Sequence, residues 1–197
     1  MNLTREPTQE VGLTFVDVLF ALVAGKILDT ATKTDQITGE GWWHLAVAAV
    51  LVLMSWVGYH TSRKRSTNIA FFNLPLLQFG IDVALVVLYW AAVVFVERTT
   101  PLAMQTSALP QALIIGLVFL LYVSWDLTAW RIRRPEPFDR RGVVSIVWFA
   151  ISFLLVVLSA FVDRFFPRNS AWIVGLAALS ILVLIAYRVH KVVPFVV

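Results

Sequence analysis

Long apolar runs separated by short polar segments divide the 197-residue chain into six parts. Each run approaches the length of about 20 predominantly apolar residues that a transmembrane helix needs. Most of the eight prolines lie at or near the ends of these runs, where they do not interrupt a helix. The pattern predicts six helices, at 11–28, 42–59, 74–96, 111–129, 142–162 and 171–189.

Composition indicates the solvent that surrounds these helices. Apolar residues make up 59% of the chain, charged residues make up 14%, and the mean hydropathy is +0.82. These values are typical of membrane proteins rather than of ordinary globular domains. We therefore expect an all-α, polytopic membrane protein in which residues 1–197 form a single six-helix transmembrane domain. We expect no cleaved signal peptide, because Asp17 interrupts the first apolar run.

The distribution of Lys and Arg predicts the orientation. Eleven of these 16 residues lie at the amino terminus, in the second and fourth loops and in the tail, whereas four lie on the other face. The positive-inside rule then places both termini in the cytoplasm, in a multi-pass protein of the cell membrane and, we expect, of a prokaryotic inner membrane. Topology accounts for the net charge of +4 without a nucleic-acid partner, although the basic loops could also bind anionic lipids of the bilayer.

The first apolar run, TFVDVLFALVAGKILD, contains three charges. At a rise of about 1.5 Å per residue, Asp17 lies about 9 Å inside the membrane, where a carboxylate needs a partner. Trp56 and His60 return to the same depth at the end of the second helix and can donate hydrogen bonds to it. On the opposite face, Leu22, Lys26 and Asp29 form one stripe. This stripe could line a pore, or its two charges could form a pair at the outer membrane boundary.

Further polar side chains gather in the cytoplasmic half of the predicted helices. Gln78 and Asp82 either join neighbouring helices or form an ion or substrate site. We expect arginines of the fourth loop to hold Asp126. The four residues are Asn73, Gln78, Asp82 and Asp126.

The sequence offers little basis for catalysis or for metal binding. It lacks cysteine, its three histidines are scattered, and no nucleophile stands beside a base. We therefore expect neither an enzyme nor a cofactor or metal site.

The first two helices carry a motif that resembles the transmembrane protein 175 family of endolysosomal potassium channels, which has six-helix bacterial relatives. The resemblance covers about ten positions and is carried by Phe15, Asp17, Phe20, Ala21, Leu22, Trp56 and His60. The chain departs from the family pattern at Val16, where a serine is expected, and at Val18, where a small residue is expected.

The resemblance implies a tetrameric potassium channel whose first helix lines the axis. It assigns a structural anchor to Phe15, Asp17, Trp56 and His60, and pore-lining positions to Leu22, Lys26 and Asp29. Two of these pore positions are charged where the family has apolar residues, and a ring of lysines would repel potassium. Two functions therefore stay open. The chain is a homo-oligomeric channel for potassium or other monovalent cations, or it is a non-conducting membrane subunit or effector with a channel-like fold.

Overall fold

A computed structural model describes residues 7–63, 74–132, 140–167 and 169–192. Within these ranges the chain has no β-strand and forms six long α-helices, which confirms the predicted all-helical class. The helices are α1 Pro7–Thr32, α2 Gly39–Arg63, α3 Leu74–Val94, α4 Leu109–Ile132, α5 Arg140–Phe165 and α6 Ser170–Val192. Two short 3₁₀ turns, Thr34–Gln36 and Met104–Thr106, lie in the connections after α1 and α3.

Five of the helices, α2 to α6, are long and apolar enough to cross a membrane, as in a multi-pass membrane protein. The helix outside this group is α1, whose stretch from Phe15 onward carries Asp17, Lys26 and Asp29. The crossing of the membrane by α1, and with it the placement of both termini in the cytoplasm, stays a prediction.

Contacts between helix ends show that consecutive helices run in opposite directions. Asp17, in the first half of α1, faces His60 near the end of α2. Asp163, near the end of α5, accepts a hydrogen bond from the backbone N–H of Leu109, where α4 begins. We call the end of the bundle where α1 begins and α6 ends the terminal end, and the other the opposite end.

The core follows the bundle interior, and large apolar side chains cover its outside. Tyr89 of α3 and Phe119 of α4 are almost completely buried. By contrast, Leu154 of α5 and Leu182 of α6 are more than 60% exposed in the single chain. An apolar exterior of this extent suits contact with lipid or with other protein chains.

Candidate functional site

At the terminal end, an acid and a histidine join α1 to α2. Asp17 Oδ1 lies 3.1 Å from His60 Nε2, and both side chains are 41% exposed, so the pair lies at the outer surface of the bundle. The two facing atoms are themselves shielded from solvent and have no hydrogen bond of standard geometry within the described residues. The contact is therefore electrostatic and becomes an ion pair when the imidazole is protonated.

Aromatic rings surround this pair. The Trp56 ring meets the His60 ring edge-on, with centroids 4.8 Å apart. Phe15 of α1 packs against Phe79 of α3, with centroids 5.8 Å apart. All four residues predicted to form the anchor thus lie in contacts that involve α1 or α2, and Asp17 contacts His60. Their function as an anchor stays a prediction.

At the opposite end, α1 and the turn after α3 share an ionic cluster, which we call the Glu97 cluster. Lys26 Nζ lies 2.6 Å from Glu97 Oε1 and 3.1 Å from Asp29 Oδ2. Thr30 donates a hydrogen bond of 3.0 Å to the same Glu97 oxygen. Lys33 lies 2.8 Å from Asp29 and 3.4 Å from Glu97. The two acids and two lysines therefore neutralise one another.

The electrostatics of this cluster favour the charged forms of its members. Burial opposes ionisation of Glu97, but the hydrogen bonds from Lys26 and Thr30 outweigh it and lower the pKa of the Glu97 carboxyl. The hydrogen bond to Asp29 raises the pKa of the Lys33 ammonium, with the Glu97 charge contributing in the same direction. Both shifts favour an intact ionic cluster at neutral pH.

The three residues of the predicted pore stripe differ in exposure, although Lys26 and Asp29 are in contact at 3.1 Å. Leu22 is 56% exposed, and the Asp29 side chain is 49% exposed. The Lys26 side chain is only 15% exposed, because its ammonium group turns back toward Glu97. Leu22 and Asp29 therefore lie on the exposed surface of α1, and Lys26 lies between α1 and α3.

Sequence reasoning missed Glu97, which lies 71 residues from Lys26 along the chain. One signal in the sequence could have found it. Glu97 comes just after the third apolar run, and the first and third helices of an up-and-down bundle end on the same side, near Lys26. Two glutamines at this end were also missed. Gln105 binds the backbone of Gln36, Thr38 and Val96, and Gln111 binds the buried His44 ring.

Side chains of α1, α2, α3, α4 and α6 line a partly open cavity of about 60 Å³. Asp82 of α3 lies in its wall and is buried, whereas Gln78, one helical turn earlier, is half-buried and outside the wall. The hydroxyl groups of Tyr89 and Tyr122 are 3.1 Å apart, and Ser55 also contacts the Tyr122 hydroxyl. Polar groups from three helices thus converge inside the bundle.

The partner of Asp126 is a lysine of α6. Lys191 Nζ lies 2.9 Å from Asp126 Oδ2 and donates to the Tyr187 hydroxyl at 2.8 Å and to Ser145 at 3.1 Å. The sequence predicted arginines of the fourth loop as partners of Asp126, and it did not predict the contact with Lys191. Asn73, the remaining predicted polar site, lies outside the described residues.

Among the residues that the structure describes, no group of three or more His, Cys, Asp or Glu side chains is arranged to hold a metal ion. The geometry defines a helical, multi-pass membrane protein with an ionic cluster at one end and a polar interior cavity. Comparison of the chain with family models, with curated proteins and with solved structures finds no match.

Proposed function

We propose that this chain is the subunit of a cation channel, selective for potassium or other monovalent cations, that assembles as a homo-oligomer with α1 facing the axis. One observation carries the proposal: the Lys26 side chain is mostly buried, and its charge is compensated by Glu97 at 2.6 Å and by Asp29 at 3.1 Å. Potassium and a tetramer are the expectations that come from the resemblance to the transmembrane protein 175 family.

The residues left on that surface suit a cation path. Val18 and Leu22 are both more than half exposed and one helical turn apart, which is the arrangement of an apolar constriction. Asp29 follows about two turns later, where copies around an axis would form an acidic ring that attracts cations. With Lys26 turned inward, the repulsion expected from a ring of lysines no longer opposes conduction.

The proposed orientation places this acidic ring on the outer side of the membrane. It requires all six helices to cross, with both termini in the cytoplasm of a prokaryotic cell, as the distribution of Lys and Arg predicts. Cations would then meet Asp29 first and the constriction at Leu22 afterwards.

Ion flux into liposomes that contain the purified protein tests the proposal, with potassium, sodium, chloride and proton gradients applied separately. We expect cation flux that Leu22→Ala raises several-fold and Asp29→Asn lowers several-fold. Leu182→Ala is the matched control, because Leu182 is 63% exposed on α6 and should leave flux unchanged. Absence of cation flux in the wild type, or equal effects of Leu22→Ala and Leu182→Ala, would overturn the proposal.

The second candidate is a non-conducting membrane subunit or effector, and one contact favours it. Lys33 binds Asp29 at 2.8 Å, so the charge of an acidic ring would be partly compensated. A stable oligomer without flux of any tested ion would support this alternative.

A further inference from the structure

The interior cavity brings charged side chains into an otherwise apolar bundle. Its volume of about 60 Å³ exceeds the space of about 10–15 Å³ that one water molecule requires. Three charged residues line it: Asp82, Arg188 and Lys191. Charges in such surroundings need counterions or hydrogen-bond partners, and those partners decide what else the cavity can hold.

Lys191 already has a counterion within the chain. Its ammonium group lies 2.9 Å from Asp126 and also donates to the hydroxyl groups of Tyr187 and Ser145. These three contacts match the three donors of an ammonium group. Lys191 therefore contributes a neutralised pair to the wall of the cavity.

Arg188 has no ion-pair partner among the residues that the structure describes. It donates one hydrogen bond, to the backbone carbonyl of Met54, and forms no ion pair within the described residues. Its Nε is buried and has no hydrogen-bond partner there. Asp82 lines the same cavity, but it has interactions of its own. A guanidinium group has five donors, and the hydrogen bonds of Arg188 to described residues use one of them.

The backbone holds Arg188 in this position. Its guanidinium group lies against Gly58 of α2, where the Cβ of any other residue would overlap with it. The absence of a side chain at Gly58 lets the arginine reach from α6 to the carbonyl of Met54. Close helix packing therefore places this guanidinium group in the cavity wall.

Hydroxyl groups complete the polar wall. Ser55, Tyr89 and Tyr122 contribute adjacent hydroxyl groups from α2, α3 and α4. Hydroxyl hydrogens rotate to suit their acceptors, so the group can direct a donor toward a bound anion. A guanidinium group that forms no ion pair within the described residues, together with a hydroxyl donor, is the chemistry that recognises a small anion.

We propose that the cavity binds a small monovalent inorganic anion of the halide class, held by Arg188 and the hydroxyl group of Tyr89. Ser55 then donates to Tyr122 and Tyr122 donates to Tyr89, which leaves the Tyr89 hydrogen for the anion. The anion supplies a counterion to Arg188 and joins α6 to α3. This site is separate from the exposed surface of α1, and it does not require the chain to conduct cations.

Thermal unfolding of the purified protein tests the site in potassium chloride, potassium bromide and potassium gluconate of equal ionic strength. Gluconate is much larger than a halide ion and should not occupy a halide site, so we expect melting temperatures a few degrees higher in chloride and bromide. Arg188→Gln should abolish this difference. The matched control is Arg131→Gln, which removes the same charge from an exposed arginine outside the cavity wall and should retain it.

A second measurement keeps the proposal testable if Arg188→Gln fails to fold. Bromide in crystals of the wild-type protein should give an anomalous scattering peak within hydrogen-bond distance of Arg188. Tyr89→Phe, which removes only a hydroxyl group, should weaken the chloride-dependent rise. Equal melting temperatures in chloride and gluconate, a rise that Arg188→Gln retains, or bromide found only outside the cavity would each overturn the proposal.

Discussion

At the scale of single residues, the Lys26 ammonium group forms an ion pair with Glu97, and this pair should contribute to stability. Removing one member of this pair takes away the shortest ionic contact of the other, which keeps only Asp29 or Lys33 as an ionic partner, at a cost of about 1–3 kcal/mol. We predict that Lys26→Leu and Glu97→Gln each lower the melting temperature in detergent, and that the double variant loses less than the sum of the two. Additive losses would show that the two side chains do not interact.

The same pair predicts a pH dependence. Because the pKa of Glu97 is lower in the folded chain than its ordinary value of 4.5, its stabilisation is complete above that value and is lost as pH falls through the folded pKa. The melting temperature of the wild type should therefore exceed that of Glu97→Gln at pH 7, and the difference should shrink below about pH 4. A constant difference across this range would contradict the assigned ion pair.

A second single-residue contact joins Asp17 to His60, at 3.1 Å. Exposed ion pairs contribute about 0.2–1 kcal/mol, so Asp17→Ala should lower detergent stability and assembly by a modest amount. Asp35→Ala, which removes an exposed carboxylate from the turn after α1, is the control. If Asp17→Ala were equally stable and fully assembled but lost only ion flux, Asp17 would serve transport and not the anchor.

At the scale of the helix, the start of α4 depends on a residue of α5. Asp163 accepts hydrogen bonds from the backbone N–H groups of Ala108 and Leu109 and from the hydroxyl of Ser107. These are donors that a helix start leaves unsatisfied, and losing such a cap costs about 0.5–2 kcal/mol. We predict that Asp163→Ala speeds amide hydrogen exchange in the first turn of α4, and that Asp163→Asn has a smaller effect.

The exchange experiment includes its own reference within the chain. The middle of α4, around the buried Val118 and Phe119, should keep its protection in both variants. Uniform loss of protection along α4 would indicate global destabilisation and would contradict a capping function for Asp163.

At the scale of the whole molecule, the alternation of helix directions places the start of α1 and the end of α6 together. If α1 crosses the membrane with the other five helices, both termini and the α2–α3 loop face the same compartment. Reporter fusions after Arg65 and at the tail should then agree, and both should report the cytoplasm. A fusion after Arg98 should report the other side, and an external signal from the tail would overturn this topology.

The sequence by itself determined the helical class and the approximate positions of all six helices. Apolar runs of about 20 residues have few alternatives to helix in a lipid environment, because each backbone polar group must be satisfied within its own segment. Proximity along antiparallel neighbours also placed Asp17 near His60. These inferences need only local periodicity and the order of the helices.

The tertiary structure decided the partners that come from distant parts of the chain. Glu97 meets Lys26, Lys191 meets Asp126, and Arg188 lies against Gly58. Helical periodicity gives the face of each residue within one helix, but it does not say which helices become neighbours or how each rotates about its axis. Long side chains such as Lys26 also turn toward the nearest opposite charge, so only the packed bundle shows where that charge lies.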